Sequence, residues 1–256
     1  MTSRSAVGTL LACVGASTRA RDVPDVSEAP HPADTPSWWR LAVEAGSGLE
    51  AARLVAARRR LMSMPRGDGR VVIDIPGWKA PEISGLPVRR YLASLGYDAR
   101  GWGLGTNTGD PERDARLLTE SVVRLEEESG RAVSLVGWSL GGVIAREVAR
   151  RRPDLVHRVI TYGTPVVGGP SYTAVAGRYT HEVRQHATRV TQRLDAERPI
   201  RVPITVIFSR RDGIVSWEAC LDRVSPDVEH VEVRSTHIGM GVDPDVWAVV
   251  ADRLAR

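Results

Sequence analysis

The sequence predicts an α/β fold in which a mostly parallel sheet is covered by helices on both faces. Three observations predict it: strand-like and helix-like segments alternate from residue 69 onward, the strand-like segments are almost continuously apolar, and a Gly-x-Ser-x-Gly turn joins one of them directly to a helix. Strands that are buried on both faces have such apolar runs. At 256 residues, one domain of this class with a small insertion is the natural organisation.

The segments that precede the sheet are predicted to lie outside the main domain. Residues 1–35 contain several prolines and no hydrophobic period, which indicates a flexible tail. Residues 36–65 contain apolar positions at helical spacing after Ser37, and serine is a common helix cap. Two glycines in the middle of this segment also allow two shorter helices. The domain proper is therefore predicted to span residues 66–256.

Within that domain, the predicted strands are apolar runs and the predicted helices have apolar stripes. The strands are expected at 71–75, 99–104, 132–136, 159–162, 204–208 and, as a half-polar edge strand, 231–233. The helical stripes are Val88, Tyr91, Leu92 and Leu95; Ala115, Leu118, Val122 and Leu125; Val143, Ile144 and Val148; and Val246, Trp247, Val250 and Leu254. Asp243 followed by Pro244 is a typical start for the last helix.

One segment interrupts the alternation, because no strand is predicted between residues 162 and 204. It contains a polar helix whose apolar stripe is Val183, Ala187, Val190 and Leu194. A long insertion after a strand usually carries function or covers a site. We therefore predict that this insertion is functional or a lid, with a helix merely packed on the side of the sheet as the alternative.

The Gly-x-Ser-x-Gly turn contains the candidate nucleophile, Ser139, between Gly137 and Gly141. A serine at a strand-to-helix turn is held in a strained conformation above the sheet, and the free N–H groups of the new helix point toward it. The flanking glycines are expected because the neighbouring elements approach too closely for a Cβ atom. The alternative is an ordinary Gly/Ser turn, but the preceding strand and following helix argue against it.

A nucleophilic serine needs a base, and the base needs an orienting carboxylate. In an open parallel sheet, reactive groups lie beyond the carboxyl ends of the strands. Asp212 follows the strand at 204–208 and His237 follows the strand at 231–233. Although either could be an ordinary loop residue, their order and positions fit the serine, so we predict a triad of Ser139, Asp212 and His237.

The oxyanion formed during acyl transfer needs two N–H donors, and losing one typically costs about 3 kcal/mol of transition-state stabilisation. We predict that the Leu140 and Trp78 backbones supply them, since Pro76 in the same loop has no N–H. The residues expected to line the substrate pocket are Gly77, Trp138, Thr164 and Pro165.

Four segments together resemble the α/β-hydrolase superfamily, especially its bacterial lipase- and esterase-type serine hydrolases. They are the Gly-x-Ser-x-Gly turn, which has the form of a nucleophile elbow, the Pro76-Gly77-Trp78 loop, Asp212-Gly213 and Thr236-His237. The 162–165 segment is similar to the Gly-Ser/Thr-Pro segment of lipase-like members. The resemblance implies a three-layer α/β-hydrolase sandwich, the triad roles of nucleophile, acid and base, and no cofactor. It also implies that the insertion at about 166–200 is a small helical cap over an acyl pocket. Many lipases have His-Gly where this chain has Pro76-Gly77, and the usual antiparallel hairpin before the first parallel strand has no clear counterpart.

These features predict a serine esterase that cleaves carboxylic esters of a small-molecule or lipid-like substrate with a hydrophobic acyl group. The same triad could instead serve a thioesterase, lactonase, amidase or acyltransferase. A different alternative is a hydrolase fold retained as a non-catalytic binding protein. The sequence leaves the acyl length and the oligomeric state open.

Composition argues against several other classes of protein. The net charge is only +4, and the arginines are spread along helices rather than clustered with stacking aromatics, so we expect no nucleic-acid partner. Two cysteines give no disulfide framework, and no Cys/His spacing suggests a metal site. No apolar run approaches the roughly 20 residues of a membrane span. We expect a cytoplasmic protein, with export or lipid anchoring through Cys13 as the alternative.

Overall fold

The computed structural model describes residues 21–23, 26–27, 29–32, 35–36, 44 and 47–256, and a seven-stranded sheet forms the centre of this part of the chain. The strands are β1 Arg21–Val23, β2 Val71–Ile75, β3 Asp98–Gly101, β4 Val133–Trp138, β5 Val156–Tyr162, β6 Ile204–Phe208 and β7 Val228–Glu232. Their order across the sheet is β1-β7-β6-β5-β4-β2-β3. Every neighbouring pair is parallel except β1 and β7. The predicted α/β fold class is confirmed.

Helices flank this sheet and connect its strands. They are α1 Ser47–Ala56, α2 Arg58–Met62, α3 Leu86–Leu95, α4 Pro111–Ser129, α5 Leu140–Arg151, α6 His181–Glu197 and α7 Pro244–Leu254. Within the described ranges, none of the helices combines the length and apolar character needed to cross a bilayer.

The alternating side chains of β2 show how the three layers are joined. Ile73 lies in an apolar cluster with Leu118 of α4 and Ile144 of α5 on one face of the sheet. Val72, its neighbour in sequence, lies in a second cluster with side chains of α3 and α7, including Val250. Successive residues of a strand point to opposite faces, so one apolar run supplies both cores.

Strands β2 and β6 occupy the predicted residues, whereas β3 is shorter than the predicted 99–104. It ends at Gly101, and the following Trp102 folds back so that its indole N–H donates to the Gly105 carbonyl at 2.8 Å. Gly103 and Gly105 both have positive φ, which an extended strand does not accommodate. The chain therefore leaves the sheet early and enters a glycine-rich loop that runs to Gly109.

The prediction of an unstructured tail is wrong for residues 21–23, which form β1. This strand pairs antiparallel with β7, with Arg21 opposite Glu232 and Val23 opposite His230. Consequently β7 is an internal strand and not the predicted edge of the sheet. The pairing rests on backbone hydrogen bonds, and the short polar sequence of β1 gives no hydrophobic alternation that would reveal it.

The N-terminal helical segment is attached to the start of α7. Within the predicted helical segment 36–65, α1 ends at Ala56 and α2 begins at Arg58; Ser37, like Cys13, lies outside the described residues. Arg53 donates to Asp243 and Asp245 at 2.9 and 2.5 Å, and both carboxylates are buried. As predicted, Asp243 caps α7, accepting from the backbone N–H of Asp245.

The insertion between β5 and β6 contains two short 3₁₀ turns, Gly169–Tyr172 and Ala176–Arg178, followed by α6. Arg150 of α5 fixes the C-terminal end of α6, because its guanidinium donates to the Leu194 carbonyl at 3.0 Å and to Asp195 at 2.7 Å. The predicted apolar stripe is largely open: Val183 is 49% exposed and Val190 is 41% exposed. This helix is therefore held by polar contacts rather than by burial of its stripe.

Candidate active site

Ser139 lies at the junction of β4 and α5 with φ 53° and ψ −123°, a conformation that is unfavourable for a residue with a side chain. Its backbone N–H donates to the Tyr162 carbonyl at 2.9 Å, which ties the turn to β5. The half-buried side chain makes no capping hydrogen bond to α5. The hydroxyl is therefore not used by the helix that begins beside it.

The glycines of the turn are required by close backbone approach. A Cβ atom on Gly137 would lie 2.5 Å from the Cα of Gly142, and one on Gly141 would lie 2.2 Å from the Ile75 carbonyl oxygen. Both distances are far below van der Waals contact, and the neighbouring atoms are backbone. The sharp strand-to-helix turn can form only with glycine at these positions.

Asp212 and His237 form a buried pair beyond the ends of β6 and β7. The Nδ1 atom of His237 lies 2.7 Å from Asp212 Oδ2, and the two side chains are only 4% and 1% exposed. The other carboxylate oxygen accepts the backbone N–H groups of Ile214 and Val215 at 2.8 and 2.7 Å. The carboxylate is thus fixed by its own loop, with one oxygen left for the imidazole.

The environment favours the protonated form of His237. Burial by itself lowers the pKa of the imidazole, but the charge and hydrogen bond of Asp212 and the charge of Glu44 outweigh it and raise the pKa above 6.5. A base with a raised pKa accepts a proton from a hydroxyl more readily, provided that the pH keeps it neutral.

Trp138 connects the serine turn to the histidine loop. Its indole N–H donates to the His237 carbonyl at 3.2 Å, and the two rings are 5.6 Å apart between centroids. Within the described residues, no hydrogen bond joins the Ser139 hydroxyl to His237. In enzymes of this kind such a bond is often long without substrate and tightens when substrate binds.

The loop after β2 contacts the serine turn directly. A Cβ atom on Gly77 would lie 3.2 Å from that of Ser139 and 3.1 Å from the Trp138 ring. Gly77 also begins a tight turn in which the Ala80 N–H donates to the Gly77 carbonyl at 3.0 Å. In the described part of the chain, neither the Trp78 nor the Leu140 N–H makes a backbone hydrogen bond. Their role as oxyanion donors stays a prediction.

Asn107 holds this turn in place from the glycine-rich loop. Its side-chain amide donates to the Pro76 carbonyl at 2.8 Å, and its side-chain oxygen accepts the Gly109 N–H at 3.1 Å. Its backbone accepts from Lys79 at 2.8 Å and donates to Ala80 at 3.1 Å. Asn107 is fully buried, so the loop that has Pro76-Gly77 in place of His-Gly is braced by an asparagine.

The insertion between β5 and β6 reaches the same turn through Trp78. Arg178 of the insertion lies over the Trp78 ring, 5.5 Å from its centroid, and the ammonium group of Lys79 lies 4.9 Å from it. Cations at such distances are attracted to the negative face of the indole. The side chain of Trp78 thus joins the insertion to the loop whose backbone is the predicted donor.

Thr164 and Pro165, both predicted to line the pocket, are buried. Thr164 packs against the start of α5: a Cβ atom on Gly142 would lie 2.1 Å from its hydroxyl oxygen. Its position supports the serine turn, and the pocket role of both residues stays a prediction.

Two residues at this site, Asn107 and Glu44, were not identified from the sequence. The available signal for Asn107 was a lone Asn among Gly103, Gly105 and Gly109 in the loop after β3. Glu44 gives no such signal, because its carboxylate accepts N–H groups from Gly213, His237 and Ile238, which are far away in sequence.

The described residues contain no group of three or more His, Cys, Asp or Glu side chains that could hold a metal ion. Cys220 is a free, buried thiol whose pKa is raised by burial, which makes it a poor nucleophile at neutral pH.

Comparison with protein families places these features in a known group. A family model described as alpha/beta hydrolase family matches residues 71–255, which is most of the chain. This chain belongs to the alpha/beta hydrolase family. The matched region contains the proposed serine, acid and base, whereas Glu44, β1 and the first two helices lie before it.

Curated relatives of this alpha/beta hydrolase match over about half of its length. A pimeloyl-(acyl-carrier protein) methyl ester esterase from Aliivibrio salmonicida is 26% identical over 141 residues, covering 50% of this chain and 51% of the relative. Human serine hydrolase BPHL is 24% identical over 132 residues, covering 46% of this chain and 44% of the relative. The chain therefore spans only about half the length of the curated relatives it matches.

Solved structures support the same fold over more of the chain. Aspergillus fumigatus lipase B superposes with a TM-score of 0.56 at 19% identity, covering 75% of this chain and 54% of that one. A monoacylglycerol lipase from Paleococcus ferrophilus gives a TM-score of 0.55 at 15% identity, covering 75% of this chain and 96% of the lipase. At such low identity the likeness shows the fold alone.

Proposed function

We propose that this alpha/beta hydrolase is a serine esterase that cleaves carboxylic esters through a covalent acyl-enzyme. The observation that carries the proposal is the buried Asp212–His237 pair, with 2.7 Å between carboxylate oxygen and ring nitrogen, beside the strained Ser139. The esterase names of the curated relatives support it. The alternatives with other acyl leaving groups use the same residues, so substrate assays distinguish them.

In the proposed first step, the Ser139 hydroxyl attacks the ester carbonyl and passes its proton to Nε2 of His237. Asp212 holds the proton on Nδ1, which fixes the tautomer and stabilises the imidazolium that forms. The N–H groups of Trp78 and Leu140 bind the oxyanion. His237 then protonates the leaving alcohol, and Ser139 remains acylated.

In the proposed second step, water attacks the acyl group with His237 as its base, and the acid leaves as Ser139 regains its proton. The substrate is proposed to have a hydrophobic acyl group, because the Trp138 ring lies against the Gly77 turn and near the His237 ring, and the insertion exposes Val183 and Val190. A methyl or short alkyl ester of an apolar acid fits this description.

Hydrolysis of p-nitrophenyl esters of increasing acyl length, with Ser139→Ala beside the wild type, tests the proposal. We expect kcat to fall by at least about 10⁴-fold in the variant, since the nucleophile is lost and the other groups contribute only residual catalysis. Cys220→Ala, which also shortens a small side chain to alanine, is the control and should retain activity.

A fluorophosphonate should also label the wild type once and leave Ser139→Ala unlabelled. Equal turnover by the two proteins would reject Ser139 as the nucleophile. Activity on thioesters or amides with none on oxygen esters would keep the triad but reject the proposed substrate class.

A further inference from the structure

Glu44 connects the two loops that carry the proposed acid and base. One carboxylate oxygen accepts the N–H groups of Gly213 and His237, each at 2.9 Å, and the other accepts the N–H of Ile238 at 2.9 Å. Gly213 directly follows Asp212 in the first loop. A single side chain therefore satisfies three backbone donors from both loops.

The contacts of Glu44 are those of a buried anion bound by amides. The residue is only 7% exposed, and both of its oxygens act as acceptors. Among the described residues, no lysine or arginine forms an ion pair with it. Buried charges are costly unless hydrogen bonds replace the lost water, and three N–H donors meet that need here.

We propose that Glu44 is a positioning residue. Its carboxylate fixes the loop after Asp212 against the loop of His237 and so holds the imidazole within hydrogen-bond distance of Asp212. This inference rests on the proposed function, because it assigns Glu44 to the same triad. It also extends the site beyond the family-matched residues 71–255 into the N-terminal segment.

Electrostatics supports this role. The charged groups that act on His237 are Asp212 and Glu44, both anionic, and they raise the pKa of the imidazole against the effect of burial. The Trp138 ring on the other side is neutral. Removing the Glu44 charge should therefore lower the pKa of His237, whereas loss of a purely structural contact would not do so.

Glu44→Gln in the full chain tests the proposal, since it removes the charge and nearly preserves the shape. The acid limb of the pH profile of kcat/KM reports the protonation of His237, because only the neutral ring accepts a proton. In the wild type its midpoint should lie above pH 6.5. In the variant we expect it to move down by about half a pH unit or more.

Plateau kcat should fall roughly 10-fold or more in Glu44→Gln, with KM changed less, because the base is displaced from the serine. Glu147→Gln on α5 is the control: that glutamate is 17% exposed, pairs with Arg150 and Arg151, and contacts neither loop. Its pH profile should match the wild type. Fluorophosphonate titration of active sites corrects all values for folded fraction.

NMR titration of the His237 ring, assigned by comparison with His237→Asn, provides a readout that does not depend on turnover. A lower midpoint in Glu44→Gln supports the proposal even if no ester is cleaved, and in that event only the proposed function fails. An unchanged NMR midpoint, or activity loss that disappears after active-site titration, overturns the positioning role of Glu44.

Discussion

At the scale of single residues, backbone strain is concentrated at the proposed catalytic centre. The non-glycine residues with positive φ among those described are Lys79 at 58° and Ser139 at 53°. Such conformations cost on the order of 1–3 kcal/mol each and persist only where surrounding contacts enforce them. The hydrogen bond to Tyr162 and the close backbone packing at Gly137 and Gly141 hold Ser139 in this conformation. The bonds of Asn107 hold the turn that contains Lys79.

This bracing predicts the effect of Asn107→Ala. The substitution removes the bonds to Pro76 and Gly109, so the turn is free to relax and the Trp78 N–H moves away from the proposed oxyanion. We expect kcat to fall about 10–100-fold with a smaller change in KM, as when an oxyanion donor is impaired. Steady-state kinetics on the best p-nitrophenyl ester measures this.

Asn107→Asp is the matched variant for the amide donor, since it keeps the size and the acceptor for Gly109 but, when ionised, places an oxygen against the Pro76 carbonyl. Its kcat should therefore fall at least as far as that of the alanine variant. Wild-type kcat in both variants would show that the turn holds its shape without the side chain.

The sequence predicts some of these residues and not others for a physical reason. Ser139 lies in a local pattern, and Asp212 and His237 follow strands that the apolar runs define. Glu44 and Asn107 bind backbone amides and carbonyls of distant loops, and backbone partners leave no trace in side-chain identity. Only the folded chain brings such partners together.

At the scale of an element, strand β2 contains a buried charge that depends on its neighbours. Asp74 is 2% exposed, and the guanidinium of Arg89 lies 3.2 Å from its carboxylate. Burial raises the pKa of Asp74 to about 6, although Arg89 opposes the rise. A Cβ atom on Gly85 would lie 1.6 Å from the same carboxylate, so this space is open only because the helix entrance has glycine there.

The raised pKa of Asp74 predicts a pH-dependent stability. The folded state binds the proton more tightly than the unfolded chain, so this group's contribution is complete below pH 3.8 and is lost as the pH rises through about 6. One pKa unit corresponds to about 1.4 kcal/mol, so the loss is about 3 kcal/mol. Urea unfolding of Asp74→Asn between pH 4 and 7 should lack this loss.

Asp98→Asn serves as the comparison, because its carboxylate is 42% exposed on the neighbouring strand β3. Because it retains Asp74, Asp98→Asn should keep the pH-dependent loss that Asp74→Asn lacks. Parallel pH dependences of the wild type and Asp74→Asn would show that Arg89 keeps Asp74 ionised throughout.

Strand prediction succeeded where burial dictates composition and failed where it does not. β2 and β6 are buried along their whole length, and their apolar runs mark both ends. β1 has an exposed, partly charged sequence and is held by its pairing with β7. A three-residue strand of this kind has no side-chain signature, so its absence from the prediction follows from its chemistry.

At the scale of the whole molecule, the N-terminal segment is attached to the α/β domain at several separate places. β1 covers the edge of the sheet, Glu44 binds the two loops of the proposed acid and base, and Arg53 bonds to two buried carboxylates at the start of α7. Arg253 of α7 also pairs with Asp22 at 2.7 Å. The segment before residue 71 thus contributes to stability and to the site together.

These attachments predict the consequence of Arg53→Met. The variant keeps the aliphatic length but leaves Asp243 and Asp245 with fewer compensating donors, although Arg60 still pairs with Asp245 at 2.7 Å. We expect the free energy of unfolding to fall by about 2 kcal/mol, since unpaired buried carboxylates are costly. Urea unfolding at neutral pH measures the change.

Arg193→Met is the control at an exposed pair, because Arg193 is 75% exposed and its partner Glu197 is 54% exposed. A change below about 0.5 kcal/mol is expected there. Equal effects of the two substitutions would mean that the N-terminal segment does not depend on its buried ion pairs.

The turn that contains Lys79 has a practical consequence for chemical modification. Lys79 is the single lysine among the 35 Lys and Arg residues of the sequence, and its side chain is exposed beside the Trp78 ring. Apart from the α-amino group of the chain, Lys79 is therefore the amine that an amine-reactive dye would modify, directly next to the proposed oxyanion donor. A dye there would sense ligand entry through the neighbouring indole, whereas coupling to an amine-reactive resin would turn the mouth of the site toward the solid support.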